Sequence, residues 1–256
     1  MSWTSPGRLG TVVYALAAML FSGLVTVVSR LQIAKRRGRK RAVARLPAGA
    51  VIVISNHASY ADGVMLALVC RRMGRSVRLL ATGGVFRAPV LGALVRRIGF
   101  IPVERGSADA SAALDTAVAA LDAGEAVGIF PEGRTTRDPN QWPERAKTGA
   151  VRLALRSGAP IVPIAMVGTH RVLGRENALR SVLRSVVLRP EVLVEVGDPI
   201  DVRSLTTDAE PDTDEIRRLA DEIMGRLVAL VSEVREEVAP DPVGVEPSPT
   251  DEPSRW

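Results

Sequence analysis

"AVIVISNHASYADGVMLALVCRRMG", residues 50–74, decides the fold, because a β-branched apolar run gives way to a helical pattern after one short polar turn. The run at 50–55 is apolar on both faces, which is typical of a strand buried inside a parallel sheet. The stretch at 62–74 has helical spacing and ends at Gly74, and glycine commonly terminates helices. The sequence therefore predicts a strand, a turn and a crossover helix.

The same alternation continues along the chain. Further strands are predicted at 77–81, 100–103, 126–130, 161–168 and 192–197. Further helices are predicted at 88–99, 107–124, 145–158 and 213–237. Apolar strands separated by helices predict an α/β fold, with a mainly parallel sheet covered by helices on both faces. Ligands are then expected beyond the carboxyl ends of the strands.

The N-terminal segment carries a membrane signal. Thr11 to Ser29 contains no charged residue, and as a helix it would reach roughly 28 Å, close to the hydrocarbon thickness of a bilayer. The basic run "RLQIAKRRGRKR" at 30–41 follows it directly. Positive charge behind the apolar stretch favours an uncleaved anchor over a secretory signal peptide. A buried core helix is the alternative, and both a spanning and an in-plane anchor stay open.

Three regions are predicted: an N-terminal membrane-associated helical segment with its basic flank at 1–45, a folded domain at 46–237, and a disordered acidic Pro-rich tail at 238–256. The expected location is the cell membrane, with the folded domain on the cytoplasmic face. The formal charge of +6 suggests an anionic partner. An aromatic content of 4% and the absence of helix-turn-helix or zinc-finger spacing argue against nucleic acid.

The turn after the first strand holds a candidate catalytic pair. Asn56 and His57 fall at the carboxyl end of that strand, and Asp62 starts the next helix. A carboxylate there can accept a hydrogen bond from one imidazole nitrogen and leave the other free as a base near neutral pH. The alternative is that Asn56 or Ser59 caps the helix and His57 is a polar loop residue.

Two more strand ends carry charge. "GFIPVERG" (99–106) ends in Glu104 and Arg105, and Arg105 is either a bidentate phosphate ligand or half of a surface ion pair. "GIFPEGRTT" (128–136) exposes a glutamate, a glycine, an arginine and two hydroxyls. Glycine there lets backbone amides approach an anion, and the arginine adds charge; a plain turn is the alternative.

Lys147 follows this turn at the predicted start of a helix. It is either a phosphate contact or a solvated surface lysine, and the sequence leaves both open.

The sequence lacks the motifs of several enzyme classes. G-x-S-x-G, G-x-x-x-x-G-K-[ST] and G-x-G-x-x-G are absent, which argues against α/β-hydrolases and nucleotide-binding folds. His57 and His170 are far apart in sequence, and Cys70, the single cysteine, lies in an apolar helix. No metal and no cofactor are therefore expected.

Four blocks in this order resemble the glycerolipid acyltransferase family that includes bacterial 1-acylglycerol-3-phosphate acyltransferases. "NHASYAD" is similar to its N-H-x4-D block, "GFIPVERG" to G-x-I-P-V-x-R, "FPEGRTT" to F-P-E-G, and "IVPIAM" (161–166) to a strand with a central proline. The resemblance runs from about residue 48 to about residue 200. Many relatives place the arginine of F-P-E-G-T-R-S one position later. Relatives also often carry a lysine near the end of the second strand, where this chain has "ATGG" (81–84).

The resemblance implies that the domain at 46–237 moves an acyl group from a thioester, acyl-CoA or acyl-carrier protein, to lysophosphatidate. His57 would be the general base and Asp62 its orienting carboxylate. The substrate-binding residues expected on the same basis are Asn56, Arg105, Glu132, Gly133, Arg134, Thr135 and Lys147. Two alternatives stay open: another lysophospholipid, lipid alcohol or amine as acceptor, and a catalytically silent membrane lipid-binding module.

Overall fold

The computed structural model describes residues 5–33, 45–103, 107–174 and 178–237. Within these ranges one sheet contains seven strands: β1 (Arg30–Ile33), β2 (Val51–Ser55), β3 (Val77–Thr82), β4 (Ile101–Val103), β5 (Ala126–Ile129), β6 (Ile161–Val167) and β7 (Glu191–Val196). The α-helices are α1 (Gly7–Val28), α2 (Asp62–Arg72), α3 (Gly83–Arg87), α4 (Pro89–Arg97), α5 (Ser107–Asp122), α6 (Gly149–Ser157), α7 (Thr169–Val172), α8 (Ala178–Leu188) and α9 (Thr213–Glu237).

The sheet is mainly parallel, which confirms the prediction from the strand and helix pattern. Its strand order is β1-β7-β6-β2-β5-β3-β4. Strands β2 to β6 run in one direction, whereas β7 is antiparallel to β6 and β1 is parallel to β7. The carboxyl ends of β2, β3 and β5 therefore meet at one edge of the sheet, and the turns that follow them build the candidate site.

Helices cover both faces of the sheet, as predicted. All five residues of β2 are buried, and the side chains of its four apolar residues alternate between two hydrophobic clusters. Ile52 and Ile54 pack with α5, α6 and α9, whereas Val51 and Val53 pack on the other face with α1 and α2. The two-residue period of a strand thus divides one continuous apolar run between two cores.

Strand β1 was not predicted. Arg30–Ile33 lies inside the segment assigned to the basic flank, yet it pairs with β7, with Arg30 opposite Glu191. Its alternating exposed and half-buried residues are those of an edge strand, and "RLQI" is too short and polar to signal a strand by itself. Residues 34–44 and 238–256, which hold most of the basic run and the tail, lie outside the described residues. The domain boundaries at 45 and 238 stay predictions.

The helix predicted at 145–158 begins only at Gly149. The residues before it are held to the turn after β5, because the Lys147 N–H donates to the Pro131 carbonyl oxygen at 2.8 Å. Lys147 therefore belongs to a loop that folds over this turn, and the prediction that it opens a helix was wrong.

Helix α1 packs along the protein through one side. Tyr14 and Val25 are buried, and the Tyr14 hydroxyl accepts a hydrogen bond from the Val77 N–H at 3.3 Å. The opposite side is exposed and apolar: Leu9, Val12, Leu16, Met19, Leu20, Leu24 and Val27. By length and composition alone, α1 is the single helix of the described residues that is able to cross a membrane.

Candidate active site

The structure brings His57 and Asp62 together. His57 Nδ1 lies 2.9 Å from Asp62 Oδ2, and the same oxygen accepts the Ser59 N–H at 2.7 Å. Asp62 is the first residue of α2 and is only 1% exposed. An ionised carboxylate only accepts hydrogen bonds, so Nδ1 carries the hydrogen and Nε2 is left to take a proton. This geometry is that of a base oriented by a buried carboxylate.

Helix capping does not explain the pair. The N-cap of α2 is Ala61, and no side chain caps the helix there. The Ser59 hydroxyl instead donates to the Leu173 carbonyl oxygen at 2.7 Å and accepts the Ala61 N–H at 3.0 Å.

Phe130 fixes the plane of the imidazole. The two rings stack with centroids 4.2 Å apart and planes 22° apart. Phe130 follows β5 directly and opens the "FPEG" turn, so this contact joins two sequence blocks at the sheet edge. Stacking and the bond to Asp62 together hold the 19% exposed His57 side chain in one orientation.

Glu132 braces the backbone around the histidine. Its Oε1 accepts the His57 N–H at 2.8 Å, and its Oε2 accepts the Glu144 N–H at 3.0 Å. The carboxyl group is buried, with Glu132 4% exposed. Substrate contact was predicted for Glu132, but both of its oxygens are occupied by main-chain donors. Glu132 thus holds the main chain at His57, and its predicted substrate contact stays a prediction.

Asn56 was also predicted to bind substrate, which stays a prediction, and in the structure its side chain bonds to a neighbouring strand. Its amide Nδ2 donates to the Met166 carbonyl oxygen at 2.9 Å, and its Oδ1 accepts the Met166 N–H at 2.8 Å. Asn56 is buried, so its side chain extends the pairing of β2 and β6 by one step. These two hydrogen bonds hold the start of the turn that contains His57.

Gly133, Arg134, Thr135 and Lys147 line the same cavity as His57. Gly133 has a φ of +70°, and a Cβ atom there would lie 2.9 Å from Lys147 Cε. The lysine stem thus crosses the turn in space that only glycine leaves open. Arg134 forms an ion pair with Glu144, with Nη2 and Oε2 3.0 Å apart.

The cavity has a volume of about 1260 Å³. Its polar end contains His57 and the residues just named, and its apolar walls include Tyr14 and Phe21 of α1 and Leu79 of β3. Pockets for drug-sized molecules measure about 300–1,000 Å³. A largely apolar space of this size fits a lipid chain, with the reacting group held at the polar end.

A family model described as Acyltransferase matches residues 36–167, more than half of the chain. The chain belongs to the acyltransferase family.

The chain is also similar to individual acyltransferases. It is 30% identical over 146 residues to the 1-acyl-sn-glycerol-3-phosphate acyltransferase of Bacillus subtilis, covering 57% of this chain and 69% of that protein. It is 30% identical over 131 residues to a chloroplastic 1-acyl-sn-glycerol-3-phosphate acyltransferase of Brassica napus, but spans only 36% of that relative's length. The crystal structure of the 1-acyl-sn-glycerophosphate acyltransferase of Thermotoga maritima has a TM-score of 0.59 at 15% identity, covering 90% of this chain and 81% of that one. That likeness confirms the fold.

The part of the predicted site that follows β4 cannot be placed. Glu104 and Arg105 lie outside the described residues, so the phosphate role of Arg105 stays a prediction. No group of three or more metal-ligating side chains occurs in the part of the chain that is described.

Sequence reasoning missed Phe130 and Thr136. The Thr136 N–H donates to the His57 carbonyl oxygen at 2.7 Å, while Phe130 stacks on the ring. Both residues flank the "PEG" turn but lie more than 70 positions from His57 in the sequence. Their place in the "FPEGRTT" block was the only available signal.

Glu132 makes the stability of this acyltransferase depend on pH. Burial, as the largest cause, raises the pKa of Glu132 to about 7 from its ordinary 4.5, against the lowering effect of the two N–H donors. The folded state then keeps a proton that the unfolded state releases above about pH 4.5. This contribution to stability is complete below that pH and is lost as pH rises through about 7.

Wild type should therefore lose more stability than Glu132→Gln as the pH rises. We expect the difference in free energy of unfolding between the two proteins to fall by about 3 kcal/mol from about pH 5 to about pH 8. Urea titrations of both proteins at each pH measure it. Parallel pH profiles for the two proteins would mean that Glu132 does not titrate in this range.

Proposed function

We propose that this protein transfers a fatty acyl group from acyl-CoA or acyl-carrier protein to the free hydroxyl of lysophosphatidate, giving phosphatidate. The observation that carries the proposal is the His57–Asp62 pair at the polar end of a large apolar cavity. The names of the similar proteins support the same substrate class. A membrane lipid-binding module without catalysis does not need an imidazole whose Nε2 is kept free by a buried carboxylate.

The reaction follows from the imidazole geometry. Nε2 of His57 takes the hydroxyl proton as the acceptor oxygen attacks the thioester carbonyl carbon. The carbon–sulfur bond then breaks, and the thiolate leaves with the proton that the imidazolium returns. Asp62 stabilises that imidazolium through Nδ1. A thioester is already activated, so the proposed chemistry requires neither a metal nor a cofactor.

Lys147 is the proposed phosphate contact of the acceptor. Arg134 pairs with Glu144 through Nη2, but its buried Nη1 has no hydrogen-bond partner among the described residues, so it stays a candidate beside Lys147. Relatives often carry a lysine near the end of the second strand, and this chain lacks it at 81–84. Lys147, which is exposed at the cavity with its stem over Gly133, supplies positive charge at the polar end. Arg105 is proposed as a second contact on the basis of the family pattern alone.

We expect Gly133→Ala to raise the KM for lysophosphatidate by about tenfold or more, because the new Cβ displaces the Lys147 stem and strains a positive-φ position. Steady-state kinetics with varied acceptor measure it. Gly74→Ala is the matched control, since its φ is also positive, no atom lies within 4 Å of the added Cβ, and it does not line the cavity. Equal KM values for both variants would refute the Lys147 assignment.

The proposed location is the membrane surface. The outward apolar side of α1 and the basic run at 34–41 favour attachment to an anionic bilayer with the domain on its cytoplasmic side.

An acceptor panel tests the head group. Purified protein in detergent is given labelled acyl-CoA with lysophosphatidate, lysophosphatidylcholine, glycerol 3-phosphate or monoacylglycerol. We expect kcat/KM to be highest for lysophosphatidate. A preference for monoacylglycerol would show that phosphate recognition is wrong while leaving acyl transfer intact.

A further inference from the structure

Helix α8 has the reverse of the usual burial pattern. A surface helix normally turns its apolar side to the core and its polar side to water. In α8, Ser185 is buried and donates hydrogen bonds to the Arg171 and Val172 carbonyl oxygens at 3.0 and 3.1 Å. The exposed side instead carries Leu183, Val186, Val187 and Leu188, and Val187 is 81% exposed.

This apolar side continues the exposed side of α1. The two helices pack together. Arg189, which follows α8, donates a hydrogen bond from Nη2 to the Thr26 carbonyl oxygen of α1 at 2.7 Å. The nearby part of α1 exposes Leu20, Leu24 and Val27. Two neighbouring helices therefore present one apolar surface to the outside, and α1 alone has the length and composition of a membrane helix.

The charges on α8 suit a bilayer surface. The helix contains no acidic residue, and Arg184 is exposed one position from Leu183. Exposed aliphatic side chains beside arginine are the pattern of a helix that lies in the plane of an anionic membrane. Its lack of acidic residues also removes like-charge repulsion from anionic head groups.

We propose that α8 is a second membrane-contacting helix, which inserts Leu183, Val186, Val187 and Leu188 into the leaflet that holds α1 and places Arg184 at the head groups. This inference rests on the membrane location given under the proposed function. With two contacts instead of one, the domain is fixed in rotation about α1, so the cavity keeps one orientation to the bilayer.

The test measures binding of full-length protein to vesicles of phosphatidylcholine with phosphatidylglycerol. We expect Val187→Glu to weaken partition by about tenfold or more, because it places an anion in the apolar contact. Arg184→Ala should weaken binding to these vesicles and leave binding to pure phosphatidylcholine unchanged. The matched control is Ala229→Glu, at an exposed position of α9 on the opposite face of the sheet, and it should bind like wild type.

Activity in detergent separates this inference from the proposed function. Val187→Glu should keep wild-type acyl transfer in micelles and show reduced acyl transfer on vesicles. A wild-type protein that binds vesicles through α8 but transfers no acyl group would refute the function alone. Unchanged vesicle binding by Val187→Glu would overturn the inference. So would light scattering that shows a dimer for wild type and a monomer for Val187→Glu, because the apolar side of α8 would then be a contact between two copies of the chain.

Discussion

His57→Ala is expected to lower kcat for the proposed acyl transfer by about 10²- to 10⁴-fold, which is the usual contribution of a general base. The loss is expected in kcat because the imidazole acts on the proton of a bound acceptor. The side chain is 19% exposed and its bonding partner is one carboxylate, so the fold persists without it. Initial rates with saturating acyl-CoA and lysophosphatidate measure the effect.

The matched control is His170→Ala. His170 is the other histidine of the chain and lies half-buried in α7. It does not line the cavity that holds His57. A His170→Ala protein should retain wild-type kcat, and equal losses in both variants would mean that His57 matters only for packing.

Asp62→Asn is expected to lower kcat by about 10²- to 10⁴-fold with little change in KM, because the amide keeps the volume and loses the charge that stabilises the imidazolium. Asp62 is buried beneath His57 and does not line the cavity, so acceptor binding should be preserved. Steady-state kinetics with both substrates varied give the two constants separately.

Asp115→Asn provides the control for removing a carboxylate. Asp115 pairs with Arg156 at the surface, with 61% of its side chain exposed, and such pairs contribute little. An Asp62→Asn protein with normal kcat would remove the orienting carboxylate from the mechanism.

The proximity of His57 and Asp62 was predictable from their local spacing, but the spacing alone left helix capping open. Only the resemblance of the four sequence blocks implied a catalytic role. A strand end and a helix start five residues apart leave few ways for the turn to fold, and the apolar run before His57 fixed the direction of β2. Asn56 shows the limit of this reasoning. The hydrogen-bond partner of Asn56, Met166, lies 110 positions away in β6. No local pattern reveals that the Asn56 side-chain amide bonds to the main chain of another strand.

Glu132 was placed in the turn after β5, whereas Lys147 was wrongly placed at a helix start, and the surroundings of both depend on contacts between loops. Glu132 reaches the main chain of Glu144, and Lys147 is held to Pro131, so the segment before α6 cannot become helix. The composition of residues 145–148, taken by itself, favoured a helix. Strand β1 was not predicted because its strand conformation depends on pairing with β7 and is not indicated by its own sequence.

Helix α8 was not predicted from the sequence either. Its burial pattern becomes informative only when the packed side is known, because an apolar stripe by itself predicts a core-facing helix. The structure shows Ser185 inward and Val187 outward, and that orientation leads to the membrane proposal.

The most direct test of acyl transfer by the His57–Asp62 pair is the product balance of one reaction. Purified protein is incubated with acyl-CoA and lysophosphatidate, and free CoA and phosphatidate are quantified by mass spectrometry. We predict one phosphatidate formed for each CoA released, with both products lost in His57→Ala. Release of CoA without phosphatidate, or equal phosphatidate from the variant, would contradict the account.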